Sequence, residues 1–340
     1  MSRVVCVGEV LYDWLCPEQG TSLARATTFV RSPGGAPANV AVGLSRLGIA
    51  TGFLGRVSTD AWGSSLLELL SAEGVDVQHV VRDAHAGTRM AYVLLDEAGE
   101  RHLAAFTHGD CADARLTHAD VRPEQFDDTL ILYAGSLMQT HPLSAKALER
   151  AMGLAQEEGA IVVYDPNYRP VLWPEPAAAR EAMTRAAERA DVLKLGAEEL
   201  TFLMGESDLE RAAHMAQERF LTALLVVTDG PRGCYYVRDA DAGHVPSLEI
   251  VQVDPTGSGD AFVAGLLSGL APLLVEGDGR EAIANLEPSA LRRILYRSNA
   301  LGALVATRTG AMTALPTAAE LEAWLDAQPG AAIKDGLGWS

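Results

Sequence analysis

The stretch DPTGSGDAF, residues 254–262, combines groups that could handle a phosphate and a proton. Gly257, Ser258 and Gly259 precede an apolar run, and the amides of a glycine-rich turn that opens a helix can converge on an anion. No Lys-Ser/Thr pair follows, so this is not a Walker A loop. Asp260 either caps the helix, which is worth about 1 kcal/mol, or removes a proton from a hydroxyl that attacks beside the anion.

A second glycine pair opens another predicted helix, in SPGGAPANVAVGLSRLG at residues 32–48. Gly34 and Gly35 come directly before it, and Pro37 occupies a favoured early helical position. An amide side chain, Asn39, lies in the same first turn. It either faces solvent or reads the hydroxyl groups of a ligand together with Gly35.

Three further motifs follow predicted strands, and each has a structural interpretation beside the functional one. YDPNYRP (164–170) offers a carboxylate, an amide and a guanidinium, but Asp and Asn beside Pro are also common in turns. KLGAEEL (194–200) places two acids at a helix start, which the helix dipole favours in any case. VTDGPRG (227–233) either covers phosphates or forms a tight turn.

Short apolar segments alternate with helix-like ones along most of the chain. The strand-like segments, rich in β-branched residues, are 4–10, 50–57, 130–135, 160–165, 191–195 and 223–229. The helical candidates are 36–47, 60–73, 142–158, 176–189, 197–220, 289–305 and 317–327. This order predicts a parallel sheet with helices on both faces. Ligands of such sheets bind beyond the carboxyl ends of the strands, so the motifs should collect along one edge.

Two segments interrupt the alternation. Residues 21–32 look extended and semi-polar, and residues 87–107 are typical of a hairpin around DEAGE. Both need a sheet outside the main one. We therefore expect a small β lid, built from insertions at about 12–33 and 87–108 of a single domain that spans 1–328.

The remaining segments complete this domain. Antiparallel edge strands are expected at 232–238 and 243–253, and a polar connection at 276–288. The tail, 329–340, is rich in Gly and Ala and is expected to be flexible.

Composition and charge limit the kinds of molecule that we expect this protein to bind. The chain has 340 residues and a formal net charge of −18, which argues against nucleic acid or an anionic membrane as the main partner. Four scattered cysteines form no C-x-x-C pair, so buried thiols in a reducing cytosol are expected rather than a zinc site. The first ten residues are predicted as a strand, not a signal peptide. No apolar stretch is long enough to span a bilayer, and a cytoplasmic location is expected.

Two stretches carry a family resemblance. GGAPANVAVGLSRLG and DPTGSGDAFVAGLL resemble the two signatures of the ribokinase-like (PfkB) carbohydrate kinases, and within that family the fructokinases most of all. The resemblance extends over nearly the whole chain, from VGEVLYDW to RTGAMTALPT. It implies a three-layer α/β/α fold with a mostly parallel central sheet and a small β lid.

The implied activity is ATP-dependent transfer of a phosphoryl group to a sugar hydroxyl, with fructose giving fructose 6-phosphate. Asp260 would be the general base for that hydroxyl. The anion hole around the phosphoryl group would consist of Gly257, Ser258 and Gly259. The sugar would be bound by Asp13, Gly35, Asn39 and Arg169, the last of them close to the phosphate as well.

The resemblance also implies positions for the nucleotide and the ions. Lys194 and Glu199 match an element that organises phosphate and Mg²⁺, the Glu acting indirectly. ATP would be bound by Lys194, Thr228, Gly230, Gly233, Gly257, Gly259 and Asn299. A K⁺ site near Asp254 and Thr256 occurs in similar enzymes, as do homodimers formed through the lid.

The chain departs from the family pattern at a few positions. Gly196 replaces an Asn that often stands three residues before the metal-element Glu, which bears on the metal shell. Pro255 and Ser258 alter the usual DTTGAGD but keep both glycines and the final aspartate. Shortly after the lid aromatic Phe106, His108 stands near the place where many relatives have Arg, which bears on the substrate.

Alternatives stay open for the substrate and for the functional class of the protein. Asp13 and Asn39 suit a neutral polyol, whereas Arg89 and Arg169 could read a carboxylate, as in 2-keto-3-deoxygluconate kinase. Arg89 could equally form a salt bridge. The other classes are an NAD-dependent dehydrogenase, against which the missing dinucleotide fingerprint counts, and a non-catalytic sugar- or nucleotide-binding protein on a kinase fold.

Overall fold

The structure is a computed structural model that describes residues 4–99, 101–107, 110–275 and 277–328. Its strands are β1 (Val4–Val7), β2 (Leu11–Gln19), β3 (Val30–Gly34), β4 (Thr51–Leu54), β5 (Arg56–Ser58), β6 (Val81–Asp83), β7 (Met90–Leu95), β8 (Arg101–Phe106), β9 (Ile131–Ala134), β10 (Ile161–Tyr164), β11 (Val192–Gly196), β12 (Leu224–Thr228), β13 (Cys234–Arg238) and β14 (Asp241–Val245). Its α-helices are α1 (Ala36–Arg46), α2 (Ala61–Ala72), α3 (Pro142–Glu157), α4 (Pro176–Ala187), α5 (Ala197–Met204), α6 (Leu209–Phe220), α7 (Ser258–Leu270), α8 (Gly279–Ala284), α9 (Pro288–Ala306) and α10 (Ala318–Asp326).

Eight strands form the central sheet, in the order β14-β13-β12-β11-β10-β9-β1-β4. The strands from β12 to β4 pair in parallel, and β13 and β14 add an antiparallel edge. The predicted mostly parallel sheet is confirmed. The predicted strand at 243–253 is wrong beyond Val245, where β14 ends.

Alternate residues of β1 pack against helices on opposite faces of the central sheet. Val4 and Cys6 pack into an apolar cluster with α1, α7 and α9. Val5 and Val7 pack into a second cluster with α3 and α4, because successive side chains of a strand point to opposite faces. Each such buried aliphatic side chain stabilises the fold by about 1.5–3 kcal/mol. The three-layer α/β/α fold is therefore confirmed.

A second sheet has the strand order β3-β2-β7-β8. Its strands come from the two segments that were assigned to the lid. The hairpin predicted at 87–107 is β7 and β8, which pair antiparallel. The expectation of an extended segment at 21–32 is wrong for its first part, since β3 begins only at Val30. The expectations for His108 and for the tail at 329–340 concern residues outside the described ranges.

One helix prediction and one predicted connection need correction. The single helix predicted at 197–220 is two helices, because Gly205 adopts φ 71° and ends α5 in the left-handed conformation that glycine favours. The polar connection at 276–288 contains α8, whose first amides are capped by Asp278. Both corrections concern short helices with an end that depends on a single residue, Gly205 or Asp278.

The structure also bears on the membrane and thiol predictions. Within the described ranges, no helix combines the length and apolar character that crossing a bilayer requires. All four cysteines are buried and free, which confirms the prediction of buried thiols.

Candidate active site

A cavity of about 580 Å³ lies where the segments after β9 and β10 face the second sheet, the start of α1 and the loop before α7. Its lining includes the predicted residues Asp13, Gly35, Asn39, Arg169, Thr256, Gly257, Gly259 and Asp260. Stretches far apart in the chain thus converge beyond the carboxyl ends of parallel strands, where α/β sheets bind ligands.

The Asp260 carboxylate is held by two amides. Asp260 is buried in the first turn of α7, and it accepts hydrogen bonds from Asn39 Nδ2 at 2.7 Å and Asn167 Nδ2 at 3.3 Å. Gly257, not Asp260, is the N-cap of the helix. The interpretation of Asp260 as a helix cap is therefore wrong, and its side chain is available to the cavity.

Two cations oppose the effect of burial on this carboxylate. Burial raises the pKa of Asp260, whereas hydrogen bonding and the charges of Arg169 and Lys194 lower it. Lys194 Nζ forms a buried ion pair with Asp165 at 3.0 Å and lies 3.6 Å from where a Cβ on Gly259 would stand. A buried ammonium group therefore lies beside the first turn of α7, where it favours an ionised carboxylate and a bound anion.

The loop before α7 fits closely against a neighbouring segment. Gly257 has φ 81°, which favours glycine, and a Cβ there would stand 2.7 Å from Ala311. The Ser258 amide donates to the Pro255 carbonyl at 3.1 Å. Ser258 does not line the cavity, its amide is already bonded, and its Oγ is buried without a partner in the described structure. Gly257 and Gly259 do line the cavity, and the anion hole at this loop stays a prediction.

The predicted sugar-binding side of the cavity begins with Asp13 on β2. Burial raises the pKa of Asp13 to about 6, the charges of Arg169 and Arg101 lower it, and that of Asp260 raises it. Gly34 leaves space for this carboxylate, since a Cβ on Gly34 would collide with Asp13 Oδ2. Asp13 thus lies within the electrostatic influence of two guanidinium groups and the candidate base.

Gly35 and Asn39 place the start of α1 against the same cavity. Gly35 is the N-cap of α1 with φ 101°, and a Cβ on it would stand 2.6 Å from the Glu9 carbonyl oxygen. Asn39 Nδ2 is bonded to Asp260, while Asn39 Oδ1 is buried without a partner among the described residues. Asn39 therefore orients the candidate base through one N–H of its amide, while its Oδ1 and its second N–H have no hydrogen-bond partner among the described residues.

Glu9 and Asn167 are polar lining residues that were not among the predicted site residues. Glu9 Oε1 accepts the Ala36 amide at 3.0 Å, and burial together with the charges of Asp113 and Asp260 raises the pKa of Glu9 to about 8. A carboxylate just after a buried strand was the available signal. Asn167 adopts φ 47°, which directs its amide to the base, and the DPNYR motif was its signal.

The predicted nucleotide and metal residues begin at the end of β11. Both Glu199 oxygens accept backbone amides, Oε1 from Tyr168 and Oε2 from Gly196, each at 2.6 Å. Thr228 is paired with Gly196 in the register of β11 and β12. Because the oxygens of Glu199 already have partners, this residue does not fit the role of a direct Mg²⁺ ligand.

Other members of this set lie nearby in the sheet. Gly230 and Gly233 bound the turn after β12, and Asn299 Nδ2 donates to the carbonyls of Val245 and Pro246 at 2.9 and 3.2 Å. Within the described ranges, the cavity lining includes none of the following residues: Lys194, Glu199, Thr228, Gly230, Gly233 and Asn299. Their role toward the nucleotide stays a prediction.

Arg89 has a partner of its own. Its Nε lies 2.6 Å from Asp113 Oδ2, and the two side chains are only 6% and 5% exposed. A guanidinium in a buried ion pair is not available to a substrate carboxylate. The salt-bridge interpretation of Arg89 is therefore confirmed.

The predicted K⁺ residues are also already in contact with a cation. Asp254 Oδ2 lies 2.6 Å from a guanidinium nitrogen of Arg101, and the same nitrogen donates to Thr256 Oγ1 at 3.2 Å. Arg101 belongs to β8 and was not predicted as a site residue. No local signal in the sequence links it to Asp254.

The three-layer α/β/α fold, the small second sheet over the cavity and the buried carboxylate in the first turn of α7 are typical of ribokinase-like kinases. The model of the pfkB family of carbohydrate kinases matches residues 1–318, and the chain belongs to that family. The NAD-dependent dehydrogenase alternative is thereby excluded, and the chain is a carbohydrate kinase by family.

Several fructokinases are among the curated relatives and solved structures that this chain resembles. It is 39% identical to Fructokinase-1 of Oryza sativa subsp. japonica over 94% of this chain and 96% of the relative. Fructokinase of Xylella fastidiosa with bound ATP superposes with a TM-score of 0.85 at 33% identity, covering 96% of this chain and 99% of that one. A double mutant of Vibrio cholerae O395 fructokinase, with fructose, ADP and potassium ion bound, gives 0.81 at 32% identity, covering 96% and 98%.

Proposed function

We propose that this protein is an ATP-dependent fructokinase that transfers the γ-phosphoryl group of ATP to the 6-hydroxyl of fructose. The observation that carries the proposal is Asp260, a buried carboxylate in the first turn of α7 that lines the cavity. The family membership and the fructokinase relatives support the same activity.

Asp260 acts as the general base in this proposal. Its carboxylate takes the proton of the 6-hydroxyl while the sugar oxygen attacks the γ-phosphorus, the bond to the β,γ-bridging oxygen breaks, and ADP leaves. Asn39 and Asn167 orient the carboxylate through the hydrogen bonds described above. First-turn amides from Gly259 onward, with the Lys194 ammonium beside them, stabilise the charge on the phosphoryl oxygens.

A neutral sugar suits the cavity better than a sugar acid. Arg89 is held by Asp113, which leaves Arg169 as the one member of the predicted carboxylate-reading pair that lines the cavity. Asp13 lines it as well, and an ionised Asp13 would repel a carboxylate while accepting hydrogen bonds from hydroxyl groups. Two other arginines of the lining are already engaged, since Arg101 is paired with Asp254 and Arg31 lies over the rings of Tyr12 and Trp62. We therefore place fructose ahead of 2-keto-3-deoxygluconate.

ATP enters this proposal as a co-substrate accompanied by Mg²⁺. Within the described ranges, no group of three or more His, Cys, Asp and Glu side chains could hold a metal ion. Because the Glu199 oxygens are bonded to amides, direct coordination of Mg²⁺ by Glu199 does not fit. We assign the ion to the ATP phosphates, and an influence of Glu199 through water is the remaining protein contribution.

The test is a coupled ADP-release assay of the purified protein with fructose, 2-keto-3-deoxygluconate, ribose, tagatose and nucleosides. We expect the highest kcat/KM with fructose and background rates for Asp260→Asn. A preference for 2-keto-3-deoxygluconate would overturn the substrate assignment. Absence of ADP release with every acceptor, in a protein that still binds ATP, would favour the non-catalytic alternative. A homodimer through the lid and a cytoplasmic location also stay predictions, and sedimentation would test the first.

A further inference from the structure

Arg101 joins the second sheet to the loop that precedes α7. It is the first residue of β8, and its side chain is 24% exposed, whereas that of Asp254 is 1% exposed. One guanidinium nitrogen contacts both Asp254 Oδ2, at 2.6 Å, and Thr256 Oγ1, at 3.2 Å. This contact links residues 155 positions apart in the chain, and it places a fixed positive charge beneath the predicted anion loop.

The Asp254 carboxylate also accepts two backbone amide hydrogen bonds, one from the loop and one from Gly310. Oδ1 accepts the Thr256 amide at 3.1 Å, and Oδ2 accepts the Gly310 amide at 2.8 Å. Gly310 is followed by Ala311, the residue against which Gly257 packs without space for a Cβ. Asp254 therefore connects the loop to the segment at 310–311 through hydrogen bonds. The positive charge of Arg101 neutralises this carboxylate.

The K⁺ site predicted at Asp254 and Thr256 does not fit this arrangement. Both oxygens of Asp254 have partners, and one of them is a guanidinium in direct contact. A second cation at the same carboxylate would face that positive charge at short range in a buried setting, where Coulomb repulsion is strong. The Vibrio cholerae fructokinase structure holds a potassium ion, whereas the Asp254 carboxylate of this chain already contacts a guanidinium.

We propose that Arg101 is a positioning residue that supplies from the second sheet the charge a monovalent cation would otherwise supply at Asp254. The anion loop of this protein is then ordered by the lid itself, and K⁺ is not required for ordering it. Arg101 also lowers the pKa of Asp13, against the larger effect of burial that raises it. Arg101 and Asp13 both line the cavity, so the guanidinium that contacts the anion loop also borders the predicted sugar site. This inference rests on the proposed function.

The experiment compares the full-length protein with Arg101→Gln and with Arg25→Gln as matched control. Arg25 is an exposed residue of the loop between β2 and β3, so the control removes the same charge from the same region without touching Asp254. Each protein is measured in KCl and in tetramethylammonium chloride at an ionic strength of about 0.1 M. The readouts are kcat and KM for fructose and ATP, the ATP affinity by calorimetry, and the thermal unfolding midpoint.

The natural protein and Arg25→Gln should give equal values in both salts. Arg101→Gln in tetramethylammonium chloride should lose about 10- to 100-fold in kcat, as expected when the loop is misplaced. KCl should restore most of that loss, and should raise the unfolding midpoint and ATP affinity of Arg101→Gln alone. A purely structural Arg101 would give a loss that K⁺ does not relieve.

Three outcomes overturn the proposal: activation of the natural protein by K⁺, an Arg101→Gln variant that behaves like Arg25→Gln, or a loss that KCl leaves unchanged. Failure of the proposed function is a separate result, since it would appear as absence of ADP release in every protein and salt. The unfolding midpoints and ATP affinities would still decide the role of Arg101 in that case.

Discussion

Asn39 Nδ2 donates to Asp260 Oδ2 at 2.7 Å, across 221 residues of sequence. The first turn of α1 thereby orients the candidate base in the first turn of α7, and the two helix starts that the sequence singled out form one unit. A hydrogen bond to a carboxylate favours its ionised form. The contact therefore tunes the pH at which Asp260 can accept a proton, besides fixing its direction.

Replacement of Asp260 tests the base directly. Asp260→Asn keeps the shape of the side chain but cannot take the proton, and its amide nitrogen cannot accept one of the two hydrogen bonds that hold the carboxylate, so kcat should fall by at least about 100-fold. The ADP-release assay measures this, and circular dichroism with the unfolding midpoint checks the fold. Turnover close to that of the natural protein would show that another group removes the proton.

Loss of the Asn39 amide should change the pH dependence of turnover. Burial raises the pKa of Asp260 and the Asn39 hydrogen bond lowers it, so Asn39→Ala should raise that pKa further. The base works only when ionised, and the acidic limb of kcat/KM against pH must then move to higher pH. Asn167→Ala is the comparison, with a smaller displacement expected from its longer contact of 3.3 Å. An unmoved limb in Asn39→Ala would contradict this assignment.

The sequence was informative where local pattern determines structure. Apolar β-branched runs such as Ile161–Tyr164 are buried strands of the central sheet, and Gly34-Gly35 opens a helix as predicted. These features depend on neighbours in the chain. The same holds for the placement of Asp260 beside a glycine turn, because that turn and helix are contiguous in sequence.

Contacts between residues that are distant in the chain could not be predicted from the sequence. Arg89 has no local sign that Asp113 will bury against it, and Arg101 has none that it will contact Asp254. Asn39 was predicted to hold a sugar hydroxyl, yet its amide nitrogen binds Asp260. These pairs form because of the way the second sheet packs against the central sheet. The spacing of apolar residues along the chain contains no information about that packing.

Breaking the buried Arg89–Asp113 pair should be costly. Asp113→Ala leaves a guanidinium unpaired at a side chain only 6% exposed, and we expect the free energy of unfolding to fall by about 3–5 kcal/mol. Urea denaturation measures the change. The control is Glu181→Ala, which removes an exposed partner of Arg185 and should cost less than about 1 kcal/mol. Equal effects of the two variants would mean that Arg89 finds another partner.

Glu9 should make stability depend on pH. Its pKa is raised from 4.5 to about 8, first by burial, so between these values the folded state keeps a proton that the unfolded state has released. Stability contributed by this group is therefore complete below pH 4.5 and is lost as the pH rises through about 8. Glu9→Gln removes the titration and should gain unfolding midpoint relative to the natural protein as the pH rises. Parallel midpoint curves for the two proteins would refute the shifted pKa.

A pair of glycine substitutions separates backbone geometry from loop position. Gly257→Ala forces a residue with φ 81° to carry a Cβ 2.7 Å from Ala311, and the free energy of unfolding should fall by about 1–3 kcal/mol. Because the strain displaces the anion loop, kcat should fall as well, by at least about 10-fold. Gly259→Ala has space for its Cβ, 3.6 Å from Lys194 Nζ, and lies inside α7, where Ala is the better helix former. Denaturant titration should therefore show Gly259→Ala at least as stable as the natural protein, and equal destabilisation by both changes would contradict the tight packing of Gly257.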